Sequence, residues 1–166
     1  MHFMRIDELQ IDIQKFKDKV PEAFNEIANL TVPFYMFHTQ MDHGISRLLE
    51  DRYKISHSEL DVLSSLRMSG DDGFILSPTR LHEKLLFTSG AITKILKKLE
   101  DKKYIKRLDN KYDKRSKLVQ LTALGNDIQA KSLKEVLAFE EKCFEPLTLK
   151  EKETMKKLFI KALKHN

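Results

Sequence analysis

The segment DNKYDKRSKLVQLT, at residues 109–122, places several cationic side chains on what the pattern predicts to be the tip of a turn. A loop tip lies at the surface, so this charge has no role in a core. Lysine and arginine donate charge-assisted hydrogen bonds to phosphate oxygens, and a cluster of them is typical of a phosphate-binding surface. Asp113 is expected to hold Arg115 through such a bond or to brace the turn. The cationic residues of the cluster are Lys111, Lys114, Arg115 and Lys117.

The positive charge of the chain is concentrated in one stretch. The 166 residues carry a net charge of +5, from 30 Lys and Arg against 25 Asp and Glu. Residues 77–120 hold 13 Lys and Arg against 5 Asp and Glu, a net charge of +8, which leaves −3 for the remainder. This distribution is typical of a phosphate-binding module on a neutral to acidic scaffold.

Length and composition indicate one compact, helix-rich, soluble domain, with 41% hydrophobic and 33% charged residues. The sequence has no apolar run near the ~18 residues of a membrane span and no signal-peptide core. Its single cysteine, Cys143, fits a reducing compartment. We therefore expect a cytoplasmic protein that does not bind membranes.

Patterns that support catalysis or metal binding are absent from the sequence. No phosphate loop, paired catalytic carboxylates or nucleophile beside a base occurs at a recognised spacing. His38 and His43 are five positions apart, whereas two metal ligands on one helix face need a spacing of four. The sequence therefore predicts a protein that is not an enzyme and that needs no metal and no cofactor.

Hydrophobic periodicity predicts a helical scaffold before the cationic stretch, because apolar residues recur there at spacings of three and four. Pro21 and Pro33 fit first-turn positions, and Thr31 is a candidate N-cap. The predicted elements are helices at 4–16, 21–30, 32–53 and 57–69 and a stub of strand at 74–76.

A helix-turn-helix pattern followed by a hairpin lies inside the cationic stretch. Ser77 is a candidate N-cap before Pro78, and Thr88 opens a second helix after a short connection. After residue 103 the period changes to that of strands. Thr122 and Thr148 then introduce the last two helices. The predicted elements are helices at 77–86, 88–103 and 122–146, a last helix from about 148, and strands at 104–109 and 117–122.

The helix predicted at 88–103 has two chemically different sides. Gly90, Lys94 and Lys97 lie opposite the apolar stripe, with Thr93 and Lys98 beside them. Small hydrogen-bonding residues that reach base edges, followed by lysines that reach phosphates, suit the major groove of DNA. The alternative is an ordinary amphipathic helix with a lysine-rich solvated side. The apolar stripe consists of Ile92, Ile95, Leu96 and Leu99.

A β-hairpin directly after a helix-turn-helix forms a winged helix, whose basic tip can enter the adjacent minor groove. Arginine is preferred there because the narrow groove concentrates negative potential. We therefore predict that Arg115 probes the minor groove. Lys111, Lys114 and Lys117 are predicted to neutralise phosphates on either side.

Three motifs resemble the MarR family of winged-helix transcriptional regulators. They are SELDVL at 58–63, TSGAITKILKKLEDKKYIKR at 88–107, and DKRSKLVQLTALG at 113–125. The last is similar to the family's wing pattern, Asp-x-Arg-Ser/Ala followed by an apolar strand and Leu-Thr-x-x-Gly. The resemblance implies a mainly α fold with a small β-wing, in which a winged helix-turn-helix is flanked by N- and C-terminal dimerisation helices.

On this plan the N-terminal helices occupy 1–56, the winged helix-turn-helix 57–122, and the C-terminal helices 123–166. The resemblance implies a homodimeric repressor of transcription, bound to an imperfect palindrome in double-stranded DNA and released by a small effector. The flanking helices also carry more large apolar residues than a small winged helix can cover, which favours a dimer independently.

The predicted sites follow from these assignments. DNA-binding residues are predicted at Ser77, Thr79, Thr88, Ser89, Gly90, Thr93, Lys94, Lys97, Lys98, Lys111, Asp113, Lys114, Arg115 and Lys117. An effector crevice is predicted from Phe34, Tyr35, Phe37, His38, Met41, Leu63 and Arg67, with the alternative that these residues form only dimer core. The alternative functions are a winged-helix module that binds protein, and an effector- or metal-responsive sensor with weak DNA specificity.

Overall fold

The computed structural model describes residues 6–70, 73–111 and 117–164, and over these residues the fold is mainly α with one small sheet, as predicted. The elements are α1 (Ile6–Lys19), α2 (Ala28–Tyr53), α3 (His57–Ser69), β1 (Ile75–Leu76), α4 (Pro78–Leu85), α5 (Ser89–Asp101), β2 (Ile105–Asp109), β3 (Lys117–Leu121), α6 (Ala123–Cys143) and α7 (Leu149–Leu163). The chain forms two compact units, Met1–Gly44 and Ile45–Asn166.

In the first unit, aromatic and ionic contacts hold the connection that follows α1. The rings of Phe16 and Phe24 meet edge to face, with centroids 5.6 Å apart. Lys17 Nζ lies 5.3 Å from the centroid of the Phe24 ring and 3.3 Å from Glu26 Oε1. Edge-to-face rings and a cation over an aromatic face are both favourable. These contacts therefore stabilise the connection between α1 and α2.

The helix predicted at 21–30 is wrong. Only isolated turns form before residue 28, and in the first of them the N–H groups of Ala23 and Phe24 donate to the carbonyl of Val20, each at 3.1 Å. Continuous helix starts at Ala28, before the predicted residue 32. Proline at a first-turn position is compatible with a helix, but it does not require one to continue.

An Asx turn that the sequence pattern did not predict lies just before α2. Asn25 Oδ1 accepts a hydrogen bond from Ile27 N at 3.0 Å, which is an Asx turn. Thr31, predicted as the N-cap, lies inside α2, and so does Pro33. Because Pro33 is close to the N-terminus of the helix, its missing N–H removes only the bond to the carbonyl of Asn29.

The N-caps predicted at Ser77 and Thr122 are confirmed, and Thr88 and Thr148, which were predicted only as helix starts, cap α5 and α7 in the same way. In each, the side-chain oxygen accepts a hydrogen bond from the backbone N–H three residues further on, which satisfies one of the unpaired donors of the first turn. The capping residues and distances are Ser77 (3.2 Å), Thr88 (3.2 Å), Thr122 (3.0 Å) and Thr148 (3.3 Å).

In the second unit, α3, α4 and α5 pack with the sheet around one hydrophobic core. The sheet is antiparallel in the order β1-β3-β2, and β2 pairs with β3 from Ile105 opposite Leu121 to Asp109 opposite Lys117. Successive side chains of a strand point to opposite faces, so one face of β2 and β3 packs against the core. The buried core residues are Val62, Leu63, Leu66, Leu76, Leu81, Ile92, Leu96, Leu99, Ile105, Val119 and Leu121.

The Leu-Thr-x-x-Gly motif has a structural explanation at the junction of β3 and α6. Thr122 caps α6 through Gly125 N, and its hydroxyl lies 2.8 Å from the carbonyl oxygen of Lys103. A Cβ at Gly125 would clash with the carbonyl of Tyr104. The motif therefore lets the first turn of α6 approach the chain that enters the wing.

The last helix, α7, has no buried residue, and the structure describes every residue in it. Its exposed apolar residues include Leu149 (85% exposed), Leu158 (62%) and Leu163 (73%). Over residues 6–70, 73–111 and 117–164, none of the helices is both long and apolar enough to cross a membrane.

Candidate nucleic-acid interface

The two sides of α5 are separated as the sequence predicts. Ile92, Leu96 and Leu99 are buried in the core, with at most 3% of their surface exposed, and Ile95 packs against that core. The opposite side consists of exposed residues and is polar at the start of the helix and cationic further along. Its exposed residues are Gly90, Thr93, Lys94, Lys97 and Lys98.

Gly90 is not required by the packing of the protein. A Cβ at this position would meet no other atom within 4 Å, and the backbone has no positive φ here. The glycine instead leaves the backbone of the first turn of α5 uncovered. The N–H groups of a first turn attract anions, so this surface suits the close approach of a phosphate or a base.

The hydroxyl groups near the two helix starts are already engaged in different ways. Ser77 and Thr88 accept capping bonds with an oxygen lone pair, so each O–H remains available as a donor. Thr93 Oγ1 instead donates to the carbonyl of Ser89 at 2.9 Å. Thr93 can therefore offer a methyl group and lone pairs to a ligand, which suits a base edge better than a phosphate.

A cleft of about 210 Å³ brings predicted residues of α4 and α5 together. Thr79 from α4 lines it with Ser89 and Thr93 from α5, beside Pro78, His82 and Ile92. His82 was not predicted as a site residue. Its spacing of three from Thr79, a predicted site residue, was the available signal, because residues three apart share one helix face.

Next to the wing tip, an ion pair joins the ends of β2 and β3, where Asp109 lies opposite Lys117. Lys117 Nζ lies 2.7 Å from Asp109 Oδ1, and both side chains are exposed. The hydrogen bond from Lys117, together with its charge, holds the pKa of the Asp109 carboxyl below its usual range. Lys117 was predicted to neutralise a phosphate, but part of its charge is already balanced by Asp109.

The structure describes only one of the remaining wing residues that were predicted to bind DNA. Lys111 is exposed at the end of the described part of the wing. Asp113, Lys114 and Arg115 lie outside the described residues, so their roles stay predictions from the sequence.

The residues of the predicted effector crevice belong to both units. In the first unit, Phe34 and Tyr35 are exposed and their rings meet with centroids 5.4 Å apart, while the Phe34 and His38 rings lie 6.3 Å apart. Phe37 and Met41 are partly buried. In the second unit, Leu63 has 0% exposed surface and lies in the core, where no ligand reaches it.

Arg67, the last predicted crevice residue, lies beside a groove between α3 and α6. Its Nη1 donates to Oε1 of the buried Gln129 at 2.7 Å, and Gln129 Nε2 donates to Ser64 Oγ at 3.1 Å. The groove has a volume of about 580 Å³. Its lining residues are Arg67, Met68, Gln129, Ala130, Leu133, Lys134, Leu137, Ala138 and Glu141.

In the part of the chain that the structure describes, no three or more His, Cys, Asp or Glu side chains are placed to hold an ion.

Comparison with known proteins identifies the family. The profile of the MarR family matches residues 55–117, which cover α3 to the start of β3. The chain is 35% identical over 104 residues to the multiple antibiotic resistance protein MarR of Salmonella typhimurium, a match that covers 63% of this chain and 69% of that protein. The chain belongs to the MarR family. The predicted resemblance is confirmed.

Two further comparisons concern a transcriptional regulator and a complex with DNA. The chain is 42% identical over 73 residues to the HTH-type transcriptional regulator PapX of Escherichia coli, which covers 44% of this chain and 43% of PapX. The chain thus spans less than half of PapX. It also superposes on a cysteine-to-serine mutant of E. coli MarR complexed with operator DNA, with a TM-score of 0.69 and 27% identity, over 89% of this chain and 97% of that one.

Proposed function

We propose that this protein is a homodimeric, sequence-specific DNA-binding regulator of transcription. Helix α5 enters the major groove, and the basic wing reaches the adjacent minor groove. The observation that carries the proposal is the outward side of α5, where an uncovered Gly90 and exposed Thr93 precede three exposed lysines. A solved relative with 27% identity is bound to operator DNA, which supports the same ligand here.

The order of residues along α5 matches the two kinds of contact that DNA offers. The first turn presents backbone N–H groups and small side chains, which can approach closely without steric hindrance. Lys94, Lys97 and Lys98 follow and can reach phosphates, which lie further from the helix axis of the duplex than the bases. Phosphate contacts set the orientation, and the contacts of the first turn select the sequence.

A second copy of the chain is the proposed cover for α7. Leu149, Leu158 and Leu163 leave large apolar surfaces in water, although α7 is regular and well capped at Thr148. Apolar patches of this kind usually bind another protein surface. In a two-fold dimer, two α5 helices fit half-sites centred about 34–36 Å apart, so the operator should be an imperfect palindrome.

Repression and effector release are part of the same proposal. A small molecule that prefers one spacing of the two α5 helices shifts the population toward that spacing, to the extent of its differential affinity. The groove beside Arg67 and the aromatic residues Phe34, Tyr35 and His38 are the candidate binding surfaces, each within its own unit. A cytoplasmic location follows from this role, because the DNA is there.

The deciding experiment is selection of duplexes from a pool by the wild-type protein, followed by affinity measurements against salt concentration. We expect a selected palindrome whose affinity falls steeply with salt, because each phosphate contact releases counterions. Arg115→Ala should weaken binding and leave the dimer intact, which size-exclusion chromatography would report. Affinity that does not depend on salt would favour a protein-binding module, and loss of folding would make Arg115 structural.

A further inference from the structure

The side chain of Lys102 connects the C-terminal end of α5 to the end of α2 and to α3. Lys102 follows α5, and its Nζ lies 2.8 Å from Oε1 of Glu59 in α3. The same Nζ lies 2.7 Å from the carbonyl oxygen of Lys54, which follows α2. The Glu59 side chain is 3% exposed, and that of Lys102 is 32% exposed. One ammonium group thus joins the end of α5 to the end of α2 and the start of α3.

Glu59 is fixed at its own end of this contact. Its second carboxylate oxygen accepts a hydrogen bond from Ser56 N at 2.7 Å, and Glu59 N donates to Ser56 Oγ at 3.2 Å. This reciprocal pair is a capping box at the start of α3. A buried carboxylate is tolerated only with its charge paired and its oxygens bonded. Glu59 is therefore an immobile partner for Lys102.

The backbone around Lys102 is equally constrained. Lys103 has a left-handed backbone, with φ 60°, and its N–H donates to the carbonyl of Glu100 at 2.8 Å. Tyr104 N donates to the carbonyl of Leu99 at 2.9 Å. These two bonds form a Schellman motif, which closes the end of α5 tightly. The position of the Lys102 ammonium and the position of the helix end therefore change together.

We infer that Lys102 is a positioning residue for DNA recognition. By holding Glu59 and the Lys54 carbonyl, it sets the orientation at which α5 meets the groove, and it links that orientation to the end of α2. Its ammonium is used inside the protein, so it does not neutralise a phosphate. A displacement of the end of α2 moves the Lys54 carbonyl and is passed to α5. This inference rests on the proposed function.

The test uses a variant that removes both charges together. In Lys102→Met with Glu59→Gln, no buried charge is left unpaired, and the glutamine keeps an acceptor for Ser56 N–H. Lys103→Met is the matched control, because it removes the same charge from the adjacent, exposed lysine. The probes are a duplex selected by the wild-type protein from a random pool and a scrambled duplex of equal length and composition. Circular dichroism establishes that each protein is folded at the assay temperature.

The double variant should bind the selected duplex about tenfold more weakly, the equivalent of one lost base contact. Its affinity for the scrambled duplex should fall much less, and the slope of log affinity against log salt concentration should be unchanged. The control should keep the wild-type ratio between the two duplexes. Lys102→Arg, which keeps the charge but changes its geometry, should show the same selective loss and serves if the double variant does not fold.

Three results would overturn the inference. If the folded variants keep the wild-type ratio of affinities for the selected and the scrambled duplex, Lys102 has only a structural role. An equal loss on both duplexes, with the salt slope smaller by about one, would make it a phosphate contact. If the wild-type protein selects no duplex, the proposed function fails, and this inference fails with it.

Discussion

The interior of the winged helix and the outward sides of α5 and α7 differ in what covers their side chains. In the interior, residues such as Leu81, Leu96 and Val119 are at most 1% exposed, because the chain covers them itself. On the outward sides, Lys97 is exposed to water and Leu158 is 62% exposed. The first region can be stable without a partner, whereas the second gains its function only when DNA or another chain binds it.

The largest expected effect is a cavity in the interior. Leu96→Ala should lower the free energy of unfolding by about 2–5 kcal/mol, because a buried leucine leaves both lost contacts and a void. Urea unfolding at several protein concentrations measures this loss, which should not vary with concentration. Leu158→Ala is the comparison on the outward side and should cost little in dilute protein. Similar losses at low concentration would show that α7 is covered by its own chain.

A charge on the outward side of α7 should break association instead. Leu158→Asp should weaken the dimer by about 2 kcal/mol or more, since an interface centre does not accept an unpaired charge. Sedimentation velocity over a range of concentrations measures the shift from dimer to monomer. Lys157→Asp is the control, because it places the same charge on an adjacent exposed residue. If both variants dissociate the dimer equally, electrostatic repulsion by the introduced carboxylate is the cause, and Leu158 is not at the interface.

Lys97 and Lys117 should differ in how much each contributes to the salt dependence of DNA binding. Among the residues that the structure describes, Lys117 forms an ion pair and Lys97 does not. Lys97→Ala should reduce the slope of log affinity against log salt by about one, as expected for one lost phosphate contact. Lys117→Ala should reduce it less, because Asp109 already lies 2.7 Å from that ammonium. Fluorescence anisotropy titrations over a salt series measure both slopes. Equal slopes would mean that the ion pair with Asp109 opens when DNA binds.

The smallest expected change in stability is at Gly90. Gly90→Ala should raise the free energy of unfolding by about 0.4–1 kcal/mol, because alanine restricts the unfolded chain and meets no atom in the fold. The same methyl group should weaken binding to a selected duplex, since it covers the first turn of α5. Thermal unfolding and anisotropy on the same samples separate the two effects. If binding is unchanged, the first turn does not approach the duplex closely.

The features that the sequence predicted correctly depend on neighbouring residues. The caps at Ser77 and Thr122 each bind a backbone group three residues away, and the apolar stripe of α5 repeats every three or four residues. Both signals lie within one or two turns of helix. The start of α2 was missed because Asn25 makes its Asx turn at a position where the sequence also favoured a helix from Pro21.

The contacts that the sequence could not predict join distant residues. Lys102 binds Glu59 across 43 positions, and Arg67 binds Gln129 across 62 positions. Lysine, glutamate and glutamine are common on helix surfaces, so nothing in their local pattern separates a buried partner from a solvated one. Only the packing of α3 against α5 and α6 brings these groups together, and periodicity does not determine that packing.

The lysines on the outward side of α5 also affect how the protein finds DNA before any contact forms. At physiological ionic strength an exposed charge acts over roughly 8 Å, so attraction begins within the last few water layers. Residues 77–120 carry +8 and the remainder −3, so the duplex field turns the cationic side toward itself during the approach. The rate of encounter should therefore exceed that of an uncharged surface, and many collisions should already be correctly oriented when bases are first tested.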